Sequence, residues 1–215
     1  MQRLTLEPSA GAPRRVLVLG CHSDDIEIGC GGTVLRLIEQ DAALEIHWIV
    51  FSAIGPRSEE ARASAEGFLD GCGSAEVVTH EFRDGFFPSH VAEIKERFEE
   101  VKASFAPDLI FTHYRQDLHQ DHRLICELTW NTWRRHLILE YEVPKYDGDL
   151  ASPNVFVELS EELCRRKTSL LERHFASQRG KHWFDEDLFR SLMRIRGMES
   201  GTRYAEGFYG RKLLV

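Results

Sequence analysis

The amino-acid sequence predicts an α/β protein, a Rossmann-like three-layer sandwich with a mostly parallel sheet and helices on both faces. Short apolar runs alternate with longer segments whose apolar residues recur at helical spacing, the pattern of buried parallel strands joined by covering helices. Ligand-type polar side chains gather just after two of those runs, where an open α/β sheet binds its ligands. No linker composition divides the 215 residues, so one domain over 1–215 is expected.

Val16-Leu17-Val18-Leu19, ending at Gly20, reads as the first strand. A polar, glycine-rich turn follows, and Thr33 to Gln40 reads as a helix with Val34, Leu37 and Ile38 on one face. Leu44 to Phe51 is the second strand, and the Ala- and Glu-rich Ser58 to Leu69 the second helix, ended by Gly71 and Gly73. Ala75 to Phe82 is the third strand. Val91 to Phe105 carries Val91, Ile94, Phe98 and Val101 at helical spacing until Pro107 breaks it. Leu109-Ile110-Phe111 is the fourth strand. His122 to Arg135 is helical, and Leu137 to Val143 and Asn154 to Leu159 are strands. Ser160 caps a helix that reaches His174, with Glu161 and Glu162 in its first turn. Asp185 to Arg196 is the last helix and Phe208 to Val215 a closing strand.

Composition narrows the function. Lys and Arg number 27 against 35 Asp and Glu, a net charge of −8, which argues against nucleic acid as a partner. Cys21, Cys30, Cys72, Cys126 and Cys164 are scattered and form no C-x-x-C pair, so free thiols are expected rather than a disulfide framework or a cysteine zinc site. The first eight residues lack the apolar core of a signal peptide, and no stretch approaches the roughly 20 apolar residues of a membrane span. A cytoplasmic location is expected, with oligomeric state open and a homo-oligomer among the alternatives.

The first polar cluster is Cys21-His22-Ser23-Asp24-Asp25-Ile26-Glu27; the second runs from Thr112 to His122 and holds three imidazoles and two carboxylates. If the two preceding strands are neighbours, both clusters share one crevice. Zinc prefers imidazole nitrogen and carboxylate oxygen, and a catalytic site keeps three protein ligands and one open position. Two adjacent carboxylates point in different directions, so one is suited to the metal and the other to the attacking water. The glycines after the first strand do not form G-x-G-x-x-G, because His22 stands at the second position.

His22-Ser23-Asp24-Asp25-Ile26-Glu27 and His119-Gln120-Asp121-His122 resemble the H-P-D-D-x-E and H-x-D-H motifs of the PIG-L or LmbE-like N-acetylglucosamine deacetylases. Tyr204-Ala205-Glu206-Gly207-Phe208 with Arg211 resembles that family's closing segment. The resemblance implies removal of an acyl group, acetyl above all, from the nitrogen of an N-acyl amino sugar or glycoconjugate. It implies zinc, with ferrous iron the alternative, held by His22, Asp25 and His122. Asp24 would be the general base, His119 the stabiliser of the oxyanion or donor to the leaving amine, and Asp121 the carboxylate that orients an imidazole. Arg57, three residues before Glu60, and Asp84 would contact sugar hydroxyls, with a helix-end ion pair and a turn as their plainer roles. Phe86, Phe87 and Trp183 suit either core packing or a wall for the substrate, and Glu27 would brace the first loop. Ser23 departs from the family's Pro, and Asp117 stands where some members have a Tyr proton donor, for which Tyr114 is the nearby substitute. Two other readings stay open from the residues alone: a non-catalytic sugar- or nucleotide-binding module, and a two-metal phosphoesterase.

Overall fold

The computed structural model describes residues 14–213. The reading of the first eight residues and the last two positions of the expected closing strand lie outside them. Among the described residues, seven strands form one sheet in the order β3-β2-β1-β4-β5-β7-β6. They are β1 (Arg15–His22), β2 (Glu45–Ser52), β3 (Ser74–Thr79), β4 (Leu109–His113), β5 (Leu137–Tyr141), β6 (Val155–Leu159) and β7 (Tyr204–Gly210). The first five run parallel, whereas β7 is antiparallel to both β5 and β6. The expected mostly parallel sheet is therefore present.

Alternation along the strands divides the core into two layers, because successive side chains point to opposite faces. Val16 and Val18 of β1 face one layer with Ile46, Trp48, Val50 and Phe111, while Leu17 and Leu19 face the other with Ile49, Phe51 and Ile110. Helices α1 (Asp25–Gln40), α2 (Pro56–Phe68), α5 (Glu161–His174) and α6 (Glu186–Ser200) cover the first face, contributing Val34, Phe68, Leu171 and Met193. Helices α3 (Val91–Ser104) and α4 (Gln120–Thr132) cover the second through Phe98 and Ile125. Ser160 caps α5 as expected, its hydroxyl accepting the Leu163 N–H at 3.1 Å. Asp185 does the same for α6 at 2.8 Å to Leu188 N, and α6 continues to Ser200, where Gly201 takes the left-handed conformation at φ 71°. Among the described residues no helix is long and apolar enough to cross a membrane.

The largest departure from the sequence reading is at α1. Glycine's poor helix propensity suggests a turn up to Thr33, yet the helix starts at Asp25 and runs through Gly29, Gly31 and Gly32. Tertiary packing overrides propensity there. A Cβ on Gly31 would lie 2.6 Å from the Phe68 ring, and one on Gly29 would overlap the Tyr141 ring of β5. Gly29→Ala is expected to destabilise the fold by about 1–3 kcal/mol, the usual cost of forcing volume into a packed core. The measurement is a urea unfolding curve, and an unchanged midpoint would show that Tyr141 can move.

The closing strand likewise begins earlier than expected, at Tyr204, and stops at Gly210. Its position explains the Tyr204–Phe208 motif. Glu206 is buried and accepts the N–H groups of Gly32 (2.9 Å) and Thr33 (2.6 Å) and the Thr33 hydroxyl (2.5 Å). Lys167 of α5, also buried, donates to Glu206 at 2.7 Å and to the Ile28 carbonyl at 2.6 Å. One ion pair thus ties β7, α5 and α1 together beneath the first loop.

Candidate metal centre and surrounding site

Strand order reverses between β1 and β4: from β1 the chain proceeds outward to β2 and β3, and from β4 toward β5. The crevice outside the carboxyl ends of two such strands is where open α/β sheets bind ligands. β1 pairs in parallel with β4, so the two polar clusters meet there.

Each loop is folded by its own side chains. The Asp25 carboxylate accepts the His22 N–H at 2.7 Å, turning the chain from β1 straight into α1. Asp24 occupies the N-cap position of α1 but makes no side-chain capping bond, and so is not spent on the helix end. After β4, Asp117 Oδ1 accepts the His119 N–H at 2.7 Å, and His119 Nδ1 accepts the Asp121 N–H at 3.3 Å as the N-cap of α4. That helix therefore begins two residues earlier than the expected His122, which stands in its first turn.

His22 Nδ1, Asp25 Oδ2 and His122 Nε2 converge. Their separations are 3.2 Å between the histidines, 3.2 Å from His22 to Asp25 and 3.3 Å from His122 to Asp25. A tetrahedral zinc with N and O ligands at about 2.0–2.2 Å sets its ligand atoms about 3.3–3.6 Å apart, so the triangle fits that ion. Its electrostatics also favour a cation. Burial lowers the proton affinity of His22 and His122, but the carboxylates around them, Asp25 with Asp121 and Asp84 for His22 and Asp25 with Asp117 for His122, together outweigh it and both are raised. Burial opposes ionisation of Asp25, yet His122, His22 and His113 hold its carboxyl well below the usual range.

The surrounding groups fix the two imidazoles. Asp117 Oδ2 lies 2.9 Å from His122 Nδ1, which leaves Nε2 facing the triangle. Burial alone would raise the Asp117 carboxyl, but His122 and Lys145 bring it below the usual range. His113, fully buried, stacks on His122 with ring centroids 3.9 Å apart and accepts the Cys21 N–H at 2.9 Å through Nε2. On the far side of His22, Nε2 lies 3.0 Å from Asp84 Oδ1 and 3.4 Å from Asp121 Oδ2, neither aligned as a hydrogen bond.

Asp24 is nearly buried. Its Oδ1 accepts from Arg57 Nη2 at 2.8 Å, and its Oδ2 has no partner. Burial pushes its carboxyl above the usual range against the pull of Arg57. His119 accepts at Nδ1, so its neutral ring carries the proton on Nε2. Burial, together with His122 and His22, lowers its proton affinity and favours that neutral form. The cluster thus holds an unpaired carboxylate oxygen and an imidazole N–H donor beside three converging ligand atoms.

The remaining expected residues fall as follows. Asp121 does not cap α4, and the imidazole it stands beside is that of His22, whose Nε2 lies 3.4 Å from its Oδ2. Its oxygens accept the N–H groups of Gly85 (2.7 Å) and Phe87 (3.1 Å), holding the loop after β3 against α4 and beside His22. Asp84, on that loop, is 71% exposed at its side chain and stands at the rim. Arg57 is bonded to Asp24 and lies over the Phe175 ring. Phe87 is core, Trp183 packs on the core edge, and Phe86 is half exposed beneath Arg83. Tyr114 stacks on Tyr209 and donates its hydroxyl to Gln116 at 2.8 Å. Glu27 is fully buried without a hydrogen-bond partner, and burial raises its carboxyl to about 8. All five cysteines are free. The supporting roles of His113 and Asp117 were not assigned from sequence, although both lie in the second polar cluster. Nothing in the sequence singles out Lys145.

This fold is shared by solved deacetylases. N,N'-diacetylchitobiose deacetylase from Pyrococcus horikoshii superposes with a TM-score of 0.72 at 20% identity, over 92% of this chain and 84% of its own. The 4-carboxy-2-hydroxymuconate hydratase GalB from Pseudomonas putida KT2440 has the same architecture, with a TM-score of 0.70 at 17% identity over 94% and 98%. In sequence, YaiS of Escherichia coli (strain K12), an uncharacterized deacetylase, is 26% identical over 179 residues, 77% of this chain and 93% of YaiS. The model of the PIG-L family, GlcNAc-PI de-N-acetylase, matches residues 17–133, more than half of the chain and both polar clusters. The protein belongs to the PIG-L family of deacetylases.

Proposed function

We propose that this protein hydrolyses the N-acyl group, acetyl above all, of an amino sugar or sugar conjugate, with a single zinc ion held by His22 Nδ1, Asp25 Oδ2 and His122 Nε2. The observation that carries the reading is the triangle of ligand atoms 3.2–3.3 Å apart. When bound there, the ion supplies Lewis acidity toward the amide carbonyl and lowers the pKa of water from ~16 to ~7.

The chain's own residues supply the rest. Asp24, held through Oδ1 by Arg57, takes the proton of the attacking water on its unpartnered Oδ2. His119, neutral with its proton on Nε2, donates a hydrogen bond to the oxyanion, and the proton taken up by Asp24 passes to the leaving amine. Asp121 keeps the Asp84 loop beside His22, and Asp84, exposed at the rim, meets sugar hydroxyls with Arg57. Acetylated sugars as substrates are supported by the chitobiose deacetylase likeness and by the family itself.

Metal content separates this reading from its rivals. The purified protein is expected to bind one zinc per chain, and His22→Ala and His122→Ala to weaken binding at least tenfold. Free amine should be released from one class among N-acetylated sugars, nucleotide sugars and glycolipids, stop with a chelator and return with zinc. No metal would leave a sugar- or nucleotide-binding module. Two ions per chain with phosphatase turnover would favour the phosphoesterase.

A further inference from the structure

We infer that Lys145 is a positioning residue that holds the Asp117 carboxylate against His122 and thereby sets how tightly the His22–Asp25–His122 cluster grips its cation. The inference rests on the proposed function for the identity of that cluster.

Lys145 lies in the loop between β5 and β6, with nothing in the local sequence to mark it. Its side chain is only 14% exposed, unusual for a loop lysine, which normally keeps its ammonium in water. All three of its N–H donors have acceptors: Asp117 Oδ2 at 2.8 Å, Asp149 Oδ1 at 2.8 Å and the Val143 carbonyl at 3.3 Å. The Asp117 oxygen it grips is the one facing His122 Nδ1 at 2.9 Å. The other Asp117 oxygen accepts the His119 N–H, and Asp149 Oδ2 accepts the Leu118 N–H at 2.7 Å. The β5–β6 loop and the loop carrying His119 and His122 are therefore stitched together, with the Lys145 ammonium between two carboxylates.

This geometry assigns Lys145 a task beyond holding two loops. His122 presents Nε2 to Asp25 and His22 only while its Nδ1 proton points at Asp117. Without Lys145, Asp117 Oδ2 loses one of its two donors, and the carboxylate, held then only by the His119 N–H and by His122 itself, fixes the imidazole less firmly. A carboxylate that orients a ligand imidazole is worth about 10–100-fold in metal affinity. A purely structural pin would change stability and leave that affinity alone.

The test is zinc affinity of the full chain, measured by competition with a chromophoric chelator, alongside the melting temperature of the metal-stripped protein. Lys145→Met is expected to weaken zinc binding about 10–100-fold. Asp149→Asn, which keeps an acceptor for Leu118 N–H but loses the charge behind Lys145, should weaken it less. Wild-type affinity in folded Lys145→Met overturns the inference, whatever happens to the melting temperature. If Lys145→Met does not fold, wild-type affinity in Asp149→Asn overturns it. A wild-type chain that binds no zinc removes both this inference and the reading beneath it, whereas tight zinc in wild type and Lys145→Met alike removes only this one.

Discussion

Asp24→Asn is expected to lower turnover about 10²–10⁴-fold, the usual range for loss of a general base, while the protein still binds one zinc. The substitution is nearly isosteric. It keeps an oxygen for the Arg57 hydrogen bond, and it removes no helix cap because Asp24 makes none. What it removes is basicity at the one oxygen with no other partner. Burial already raises this carboxyl toward the working pH, which suits proton transfer to and from it. The neighbouring Asp25 does the opposite: its carboxyl is held low among three imidazoles, as a ligand should be. Steady-state kinetics with metal analysis of the same sample tests the division of labour. Near-wild-type turnover in Asp24→Asn would end Asp24's role, and loss of zinc from it would mean the two aspartates had been assigned the wrong way round.

The second large effect is on stability. Lys167→Met is expected to cost about 3–5 kcal/mol, because it removes one partner of a buried ion pair and leaves the Glu206 charge in the interior. At 2–4 °C per kcal/mol for a chain of this size, the melting temperature should fall by roughly 10 °C. Glu206 keeps three donors from Gly32 and Thr33, which places the loss toward the lower end. Adding Glu206→Gln to Lys167→Met should recover part of it, since no uncompensated charge then remains. A single substitution with no effect on thermal unfolding would mean that water reaches Glu206 in the folded state.

Much of this was legible in the sequence because it depends on local order. Continuous apolar runs such as Val16–Leu19 identify buried parallel strands, and the carboxyl ends of β1 and β4 hold the residues that converge. His22, Asp25 and His122, expected together from the resemblance of two motifs in order, do converge in the structure. The extent of α1 was not legible. Gly29 and Gly31 read as a turn unless Tyr141 and Phe68 are known to lie against them, and those contacts span long stretches of chain. The partner of His122 was missed for a related reason. Asp121 is one residue away and Asp117 five, but helix geometry turns Asp121 toward Gly85 and Phe87. Lys145 reaches the site only through the fold, 28 residues from Asp117.

The insertion of β7 between β5 and β6 has a consequence for how the molecule is made. During synthesis on a ribosome, β6 emerges well before β7 yet has no neighbour in the sheet until β7 arrives. The nascent chain can pair β1 to β5 early, since domains assemble from the amino-terminal side as they are translated. Its last sheet edge then waits, exposed, for β7. Ribosome stalling before Tyr204 should leave such chains prone to capture by chaperones, with Lys167 already in place and no carboxylate to meet it.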